Sequence, residues 1–123
     1  DLRTADGTFR GGFISLGFRA RFRALHDYTA SLPLCGPADE ELPLGRTTRA
    51  CIEQGVIASL CYEIAGHIDR MRAAYDRLLV IFTGGDAKFF EKRFKNTIFA
   101  NCDLVFYGLN RILEYHACEE NHR

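Results

Sequence analysis

The sequence lacks a net charge: 16 lysines and arginines balance 16 aspartates and glutamates over 123 residues. A neutral chain has no global field to gather polyanions, which argues against a dedicated nucleic-acid binder. It also lacks any apolar run near the ~18 residues that a bilayer-crossing helix needs, so a soluble chain with no membrane partner is expected. Its five cysteines are scattered, with no C-x-x-C pair. An oxidised framework would use an even count, so reduced thiols acting as small hydrophobes are expected. The phosphate-loop pattern G-x-x-x-x-G-K-[ST] is absent, and no serine sits in a nucleophile-elbow pattern. Asp1, Asp6, Asp86 and Asp103 stand singly at strand or turn boundaries, where aspartate is common for turn reasons. No catalytic constellation can be assembled from these residues. His116, Cys118 and His122 in the tail have metal-ligand character, but no convincing fourth ligand accompanies them and no metal site is expected.

What is present is a folding chain. At 13.9 kDa and 47% hydrophobic, with ten Phe and five Tyr, it has the size of one domain. Such a chain buries roughly two-thirds of the surface it exposes when unfolded, enough to offset chain entropy. Residues 1–15 read as two short strands around the Asp6-Gly7 turn, the second running from Phe9 to Ser15. A domain seldom begins inside a hairpin, so the sequence is expected to be a piece of something longer. Gly11-Gly12 in the second strand suits close backbone approach by a ligand or another chain, and equally a bulge.

After Gly17 the spacing becomes helical, with Phe18, Phe22 and Leu25 on one face. Arg19, Arg21 and Arg23 form a cluster that fits a phosphate, a solvated helix face or a set of ion pairs. Ser31-Leu32-Pro33 is expected to end this helix. Residues 33–46 form a loop with three prolines, two glycines and the acidic run Asp39-Glu40-Glu41. Thr47 and Thr48 stand where an N-cap hydroxyl belongs. The helix they open is predicted to reach about Ala74, with Ile52, Val56, Leu60, Ile64 and Ile68 every four residues. Ala50, Gly55, Ala58 and Ala65 keep parts of it slim. Leu78 to Phe82 reads as a strand buried on both faces. Thr83-Gly84-Gly85-Asp86 and a short helix to about Lys92 follow. A last strand, Leu104-Val105-Phe106, then leads to a helix from Leu109 to about Cys118. This order predicts an α/β fold, a mixed sheet layered with the long helix.

The best local signal is the strand running straight into Thr83-Gly84-Gly85. Ligands of open α/β sheets gather at the carboxyl ends of strands, and paired glycines let a nucleotide lie against backbone. Any tight strand-to-helix turn also wants glycine, so the nucleotide and turn readings both stand.

The motifs in series carry a resemblance. They are Asp1, then Gly11-Gly12-Phe13-Ile14-Ser15-Leu16-Gly17, then Ala24-Leu25-His26-Asp27-Tyr28-Thr29-Ala30-Ser31-Leu32-Pro33. Gly45-Arg46-Thr47-Thr48-Arg49-Ala50, Gly55, Thr83-Gly84-Gly85 and Gly108-Leu109-Asn110 complete the order. In order and spacing this resembles the second domain of the type III pantothenate kinases, of the acetate and sugar kinase, heat-shock chaperone and actin superfamily. The resemblance implies a ribonuclease H-like (actin-like ATPase) α/β domain, truncated at its amino end. Residues 1–123 would be the carboxyl-terminal domain, with the amino-terminal domain absent.

The activity so implied is transfer of the γ-phosphate of ATP to pantothenate, the first step of coenzyme A synthesis. A cytosolic homodimer needing Mg²⁺ and a monovalent cation, K⁺ or NH₄⁺, is implied with it. By position, Thr48 would hydrogen-bond pantothenate held mainly by the partner subunit. Thr83, Gly84 and Gly85 would lie by the adenosine, and Gly11 and Gly12 at the dimer interface near the site. Leu16 departs from the family's usual proline, which should loosen the strand exit. The phosphate loop, the general-base Asp of G-x-D-R and the cation Asp of D-x-G-T have no counterpart here, so no catalytic residue is assigned and the isolated piece is expected to be inactive. Two further readings are a non-catalytic accessory factor in transcription and a domain serving dimerisation alone.

Overall fold

The structure is a computed structural model describing residues 1–94 and 98–120. It forms two compact units, Asp1–Glu63 and Ile64–Arg123. Among the described residues no helix is long and apolar enough to cross a membrane.

The first unit opens on a hairpin. Strands β1 (Leu2–Arg3) and β2 (Phe9–Gly11) pair antiparallel, Leu2 opposite Gly11 and Arg3 opposite Phe9. Two residues on one strand against one on the other make a bulge, and Gly11 takes the positive φ of 99° that a bulge asks of glycine. Pairing therefore stops at Gly11, not at Ser15 as expected. The turn is closed by side chains as well as backbone. The Thr4 hydroxyl donates to Asp6 Oδ1 at 2.6 Å, and the Thr8 N–H donates to the same oxygen at 3.0 Å. These bonds, the Thr4 hydroxyl foremost, hold the Asp6 carboxyl below its ordinary 3.8. A depressed carboxylate stabilises the fold above its unfolded value and loses that contribution as pH falls through the folded one. An NMR titration should thus place the Asp6 midpoint below 3.8, with the Thr8 amide shift moving over the same acidic range. A midpoint above 3.8 would refute the bonding.

Helix α1 spans Phe18–Asp27 and buries Phe18 and Phe22, whose rings stack at 6.3 Å between centroids. It ends earlier than Ser31-Pro33 predicted: the Thr29 hydroxyl donates to the helix carbonyl Leu25 O at 2.6 Å, and His26 Nδ1, in the last turn, lies 2.7 Å from Leu32 O of the chain beyond. Helix α2, Thr48–Ala74, is continuous as predicted. Its buried positions Ile52, Val56, Ile57 and Leu60, with Phe18, Phe22 and Cys35, are the core of the first unit.

In the second unit, β3 (Val80–Phe82) pairs parallel with β4 (Ile98–Ala100), Ile81 opposite Phe99. Helix α3 (Ala87–Glu91) connects toward β4, and α4 runs from Leu104 to Glu120. Antiparallel and parallel pairing thus both occur, in two separate two-stranded sheets among the described residues. The expected strand at Leu104–Phe106 is instead the first turn of α4. Asn101 starts that helix: its Oδ1 accepts from the Asp103 N–H at 3.1 Å and its carbonyl from Leu104 N–H at 3.4 Å. The strand lies just upstream, at Ile98–Ala100. The strand expected over Leu78 to Phe82 is shorter, Val80–Phe82, and it is not buried on both faces, since Ile81 is exposed.

Candidate functional site

The start of α2 is built by its own sequence. The Thr47 hydroxyl accepts from the Ala50 N–H at 3.2 Å, and the Thr47 carbonyl accepts from Cys51 N–H at 2.8 Å. Thr47 is therefore the N-cap. Thr48 is the next residue, exposed, and its hydroxyl has no hydrogen bond among the described residues. The preceding loop is fastened onto the same helix. Gln54 grips it at both ends of its amide, Nε2 donating to Glu40 O at 2.7 Å and Oε1 accepting from Leu42 N–H at 3.1 Å. The Cys51 thiol donates to Gly45 O at 3.2 Å, and Gly45 lies so close that a Cβ there would come within 2.6 Å of Ala50 and Cys51 backbone atoms. Arg49 pairs with Glu53 at 3.4 Å on the exposed side.

The exit of the hairpin is tied to α1 and α2. Gly12 does admit a close backbone approach, but the approaching group is the chain's own Asp1, whose Cα would lie 2.9 Å from a Cβ at position 12. At Gly11 the space is open. Beyond them, Arg21 Nε donates to Leu16 O at 2.6 Å and Nη2 donates to Glu63 Oε2 at 2.5 Å. The other Glu63 oxygen accepts from the Ser15 hydroxyl. Of the arginine cluster, then, Arg21 is an ion-pair residue and Arg23 pairs with Asp27 at 3.8 Å. Sequence reasoning missed Glu63, which stands 42 residues from Arg21 with no local signal to join them.

Thr83, Gly84 and Gly85 belong to the second unit, and Thr48, Gly11 and Gly12 belong to the first. They follow β3 directly, and Gly84 holds a φ of 88° while accepting from Ala87 N–H at 3.2 Å. A Cβ at either glycine would meet nothing within 4 Å, so the backbone is open to a flat ligand. The helix that follows is only five residues long, and its start offers less dipole than the sequence suggested. It is held by aromatic packing: Phe82 meets Phe90 and Phe94 edge-on, each at 6.0 Å, and the Arg93 guanidinium lies 3.6 Å from the Phe89 ring centre.

Only part of the tail grouping lies within the described residues. His116 packs edge-on to Tyr115, Cys118 is exposed, and His122 lies outside the described residues. Among the described residues no three His, Cys, Asp or Glu side chains gather as metal ligands, and the five cysteines are free thiols.

These features define an α/β protein whose candidate residues lie at a helix start and at the carboxyl end of a strand, places where such proteins bind small molecules. The family model described as type III pantothenate kinase matches residues 1–70. A type III pantothenate kinase of Flavobacterium psychrophilum is 39% identical over 115 residues, covering 94% of this chain and 48% of that protein. One from Phocaeicola vulgatus is 43% identical with the same coverage, and one from Cytophaga hutchinsonii is 44% identical over 108 residues, 87% of this chain and 46% of its own length. The chain belongs to the type III pantothenate kinase family. It spans about half the length of the curated relatives it matches.

Proposed function

We propose that this chain is the carboxyl-terminal part of an enzyme that transfers the γ-phosphate of ATP to pantothenate, in an actin-like ATPase fold. The observation that carries the reading is identity near 40% along 94% of the chain to proteins named for that activity. Phosphoryl transfer depends on positioning and on electrostatic stabilisation of the phosphates. This chain's contribution is positioning. Thr48 presents a hydroxyl that capping does not consume, because Thr47 caps the helix, and it would hydrogen-bond pantothenate. Thr83, Gly84 and Gly85 would lie against the adenosine, where open backbone at both glycines fits a flat ring. Mg²⁺ and the monovalent cation neutralise phosphate charge in such reactions. Among the described residues no three His, Cys, Asp or Glu side chains gather as a ligand set, so no residue of this chain is assigned to either cation. The chain alone would be inactive, and the whole enzyme would work in the cytoplasm without nucleic-acid partners.

Two threonines make the test. In the full-length enzyme, Thr48→Val should raise KM for pantothenate by about two- to tenfold, the worth of one neutral hydrogen bond. KM for ATP and the melting temperature should hardly move. Thr47→Ala should do the reverse, costing about 1 kcal/mol of stability as a lost cap and leaving both KM values alone. Unchanged pantothenate saturation in Thr48→Val would remove the substrate role.

A homodimer is part of the same proposal. Phe9, Phe13, Ile14 and Leu16 are all exposed around Gly11 and Gly12, and apolar patches above a few hundred Å² usually mark association. Light scattering at tens of micromolar should give about twice 13.9 kDa for the chain. A clean monomer would count against it.

A further inference from the structure

We propose that the Arg21–Glu63 ion pair is a positioning device that fixes the backbone of the strand exit, residues 12–17, as a proline at position 16 would. The observation is a closed ring of four groups. Arg21 donates from Nε to Leu16 O at 2.6 Å and from Nη2 to Glu63 Oε2 at 2.5 Å, and the other Glu63 oxygen accepts from the Ser15 hydroxyl. Two successive residues of one segment are therefore held by the two ends of a single ion pair. A third donor, Nη1, reaches Ser59 Oγ at 3.4 Å, and Ser59 itself donates to Val56 O at 3.0 Å, which ties the ring to the α2 backbone.

An exposed ion pair contributes little, because water screens it and two long side chains must be ordered. This one is different in two respects. The side chains are only 20% and 30% exposed, and the guanidinium fork is used in several directions at once. What it holds is the end of the segment, Ser15 and Leu16, just ahead of α1. Strand pairing stops at Gly11, and Ile14 and Leu16 project into solvent. The Leu16 N–H donates no hydrogen bond among the described residues, so position 16 has no ladder bond to fix it. Proline restrains such a position through its ring, which locks φ and needs no N–H. Leucine has no such restraint, and the clamp on its carbonyl supplies one from outside. The functional consequence rests on the kinase reading: the clamped segment carries on from Gly11 and Gly12, and its order would set how the site beside them is held.

The test uses backbone order parameters of the 123-residue chain, measured by ¹⁵N relaxation. Ile14, Ser15 and Leu16 are expected near 0.85, the value of rigid backbone, and below about 0.6 in Arg21→Ala. Glu63→Gln keeps a weaker acceptor and should fall in the same direction by less. Adding Leu16→Pro to Arg21→Ala should return Ile14 and Ser15 to about 0.85. A simple staple between α1 and α2 would not be rescued in this way. Unchanged order in a folded Arg21→Ala, or no restoration by Leu16→Pro, overturns the proposal. If Arg21→Ala fails to fold, Glu63→Gln with and without Leu16→Pro decides by the same criteria. In the full-length enzyme, Glu63→Gln should raise KM for pantothenate about threefold to tenfold, no more than the worth of one neutral hydrogen bond because Glu63 acts through the segment it holds, and Leu16→Pro should reverse it. Kinase activity with unmoved order parameters sinks the clamp alone. Moved order parameters in a protein without kinase activity sink the kinase reading and leave the clamp.

Discussion

Gly45→Ala is expected to cost about 3 kcal/mol or more and to lower the melting temperature by about 10 °C. A Cβ at position 45 would collide with Cys51 N and lie 2.5 Å from the Ala50 carbonyl carbon and 2.6 Å from Cys51 Cα. All three atoms are backbone of the first turn of α2, which cannot rotate away as a side-chain tip would. Either the loop lifts, losing the Cys51 thiol bond and straining the Gln54 bridge, or the first turn unwinds. Both displace Thr48, so substrate affinity should suffer along with stability in the full-length enzyme. Gly55→Ala is the control. Its Cβ would meet nothing within 4 Å, and removing glycine from a helix interior should stabilise by roughly 0.5–1 kcal/mol. Thermal melts of the two variants moving in opposite directions confirm the reading, and a melt for Gly45→Ala within two degrees or so of the parent refutes it.

Phe22→Ala should be costlier still, about 3–5 kcal/mol, which in a chain of this size threatens folding altogether. Phe22 is 2% exposed and stacks on Phe18, itself 3% exposed. The pair is the whole buried face of α1. Its loss frees that helix to shift, and Arg21 with it, so the strand exit should lose order in the same experiment. Phe22→Leu keeps most of the volume and should cost less than half as much. Urea unfolding compares the three proteins on one scale. A loss under 1 kcal/mol for Phe22→Ala would mean that α1 does not anchor the first unit.

Much of the fold was legible where the physics is local. The four-residue spacing of Ile52, Val56, Leu60, Ile64 and Ile68 marks α2, and all of them are buried except Ile64, which is half-buried. Phe18 and Phe22 mark α1 for the same reason. Elements whose identity depends on neighbours were less legible. Leu104-Val105-Phe106 looks like a strand by composition, since aromatic and β-branched residues favour sheets. Asn101 placed three residues before Leu104 turns it into a helix start. Phe94 gave no signal of its own, and only the folded second unit sets it against Phe82.

The sequence by itself determined the family, the long helix, and where the candidate site residues stand along the chain. Helix periodicity, capping hydroxyls and glycine turns act within a few residues, and ordered motifs persist whatever their surroundings. Tertiary structure decided which groups each residue meets. It assigned the cap to Thr47 and so left Thr48 uncommitted, made Gly11 a bulge, and set Asp1 against Gly12. It also chose ion pairing for Arg21, through a carboxylate 42 residues away. An arginine among other arginines is ambiguous along a chain, because its partner is selected by distance in space and by loss of water, neither of which sequence order encodes.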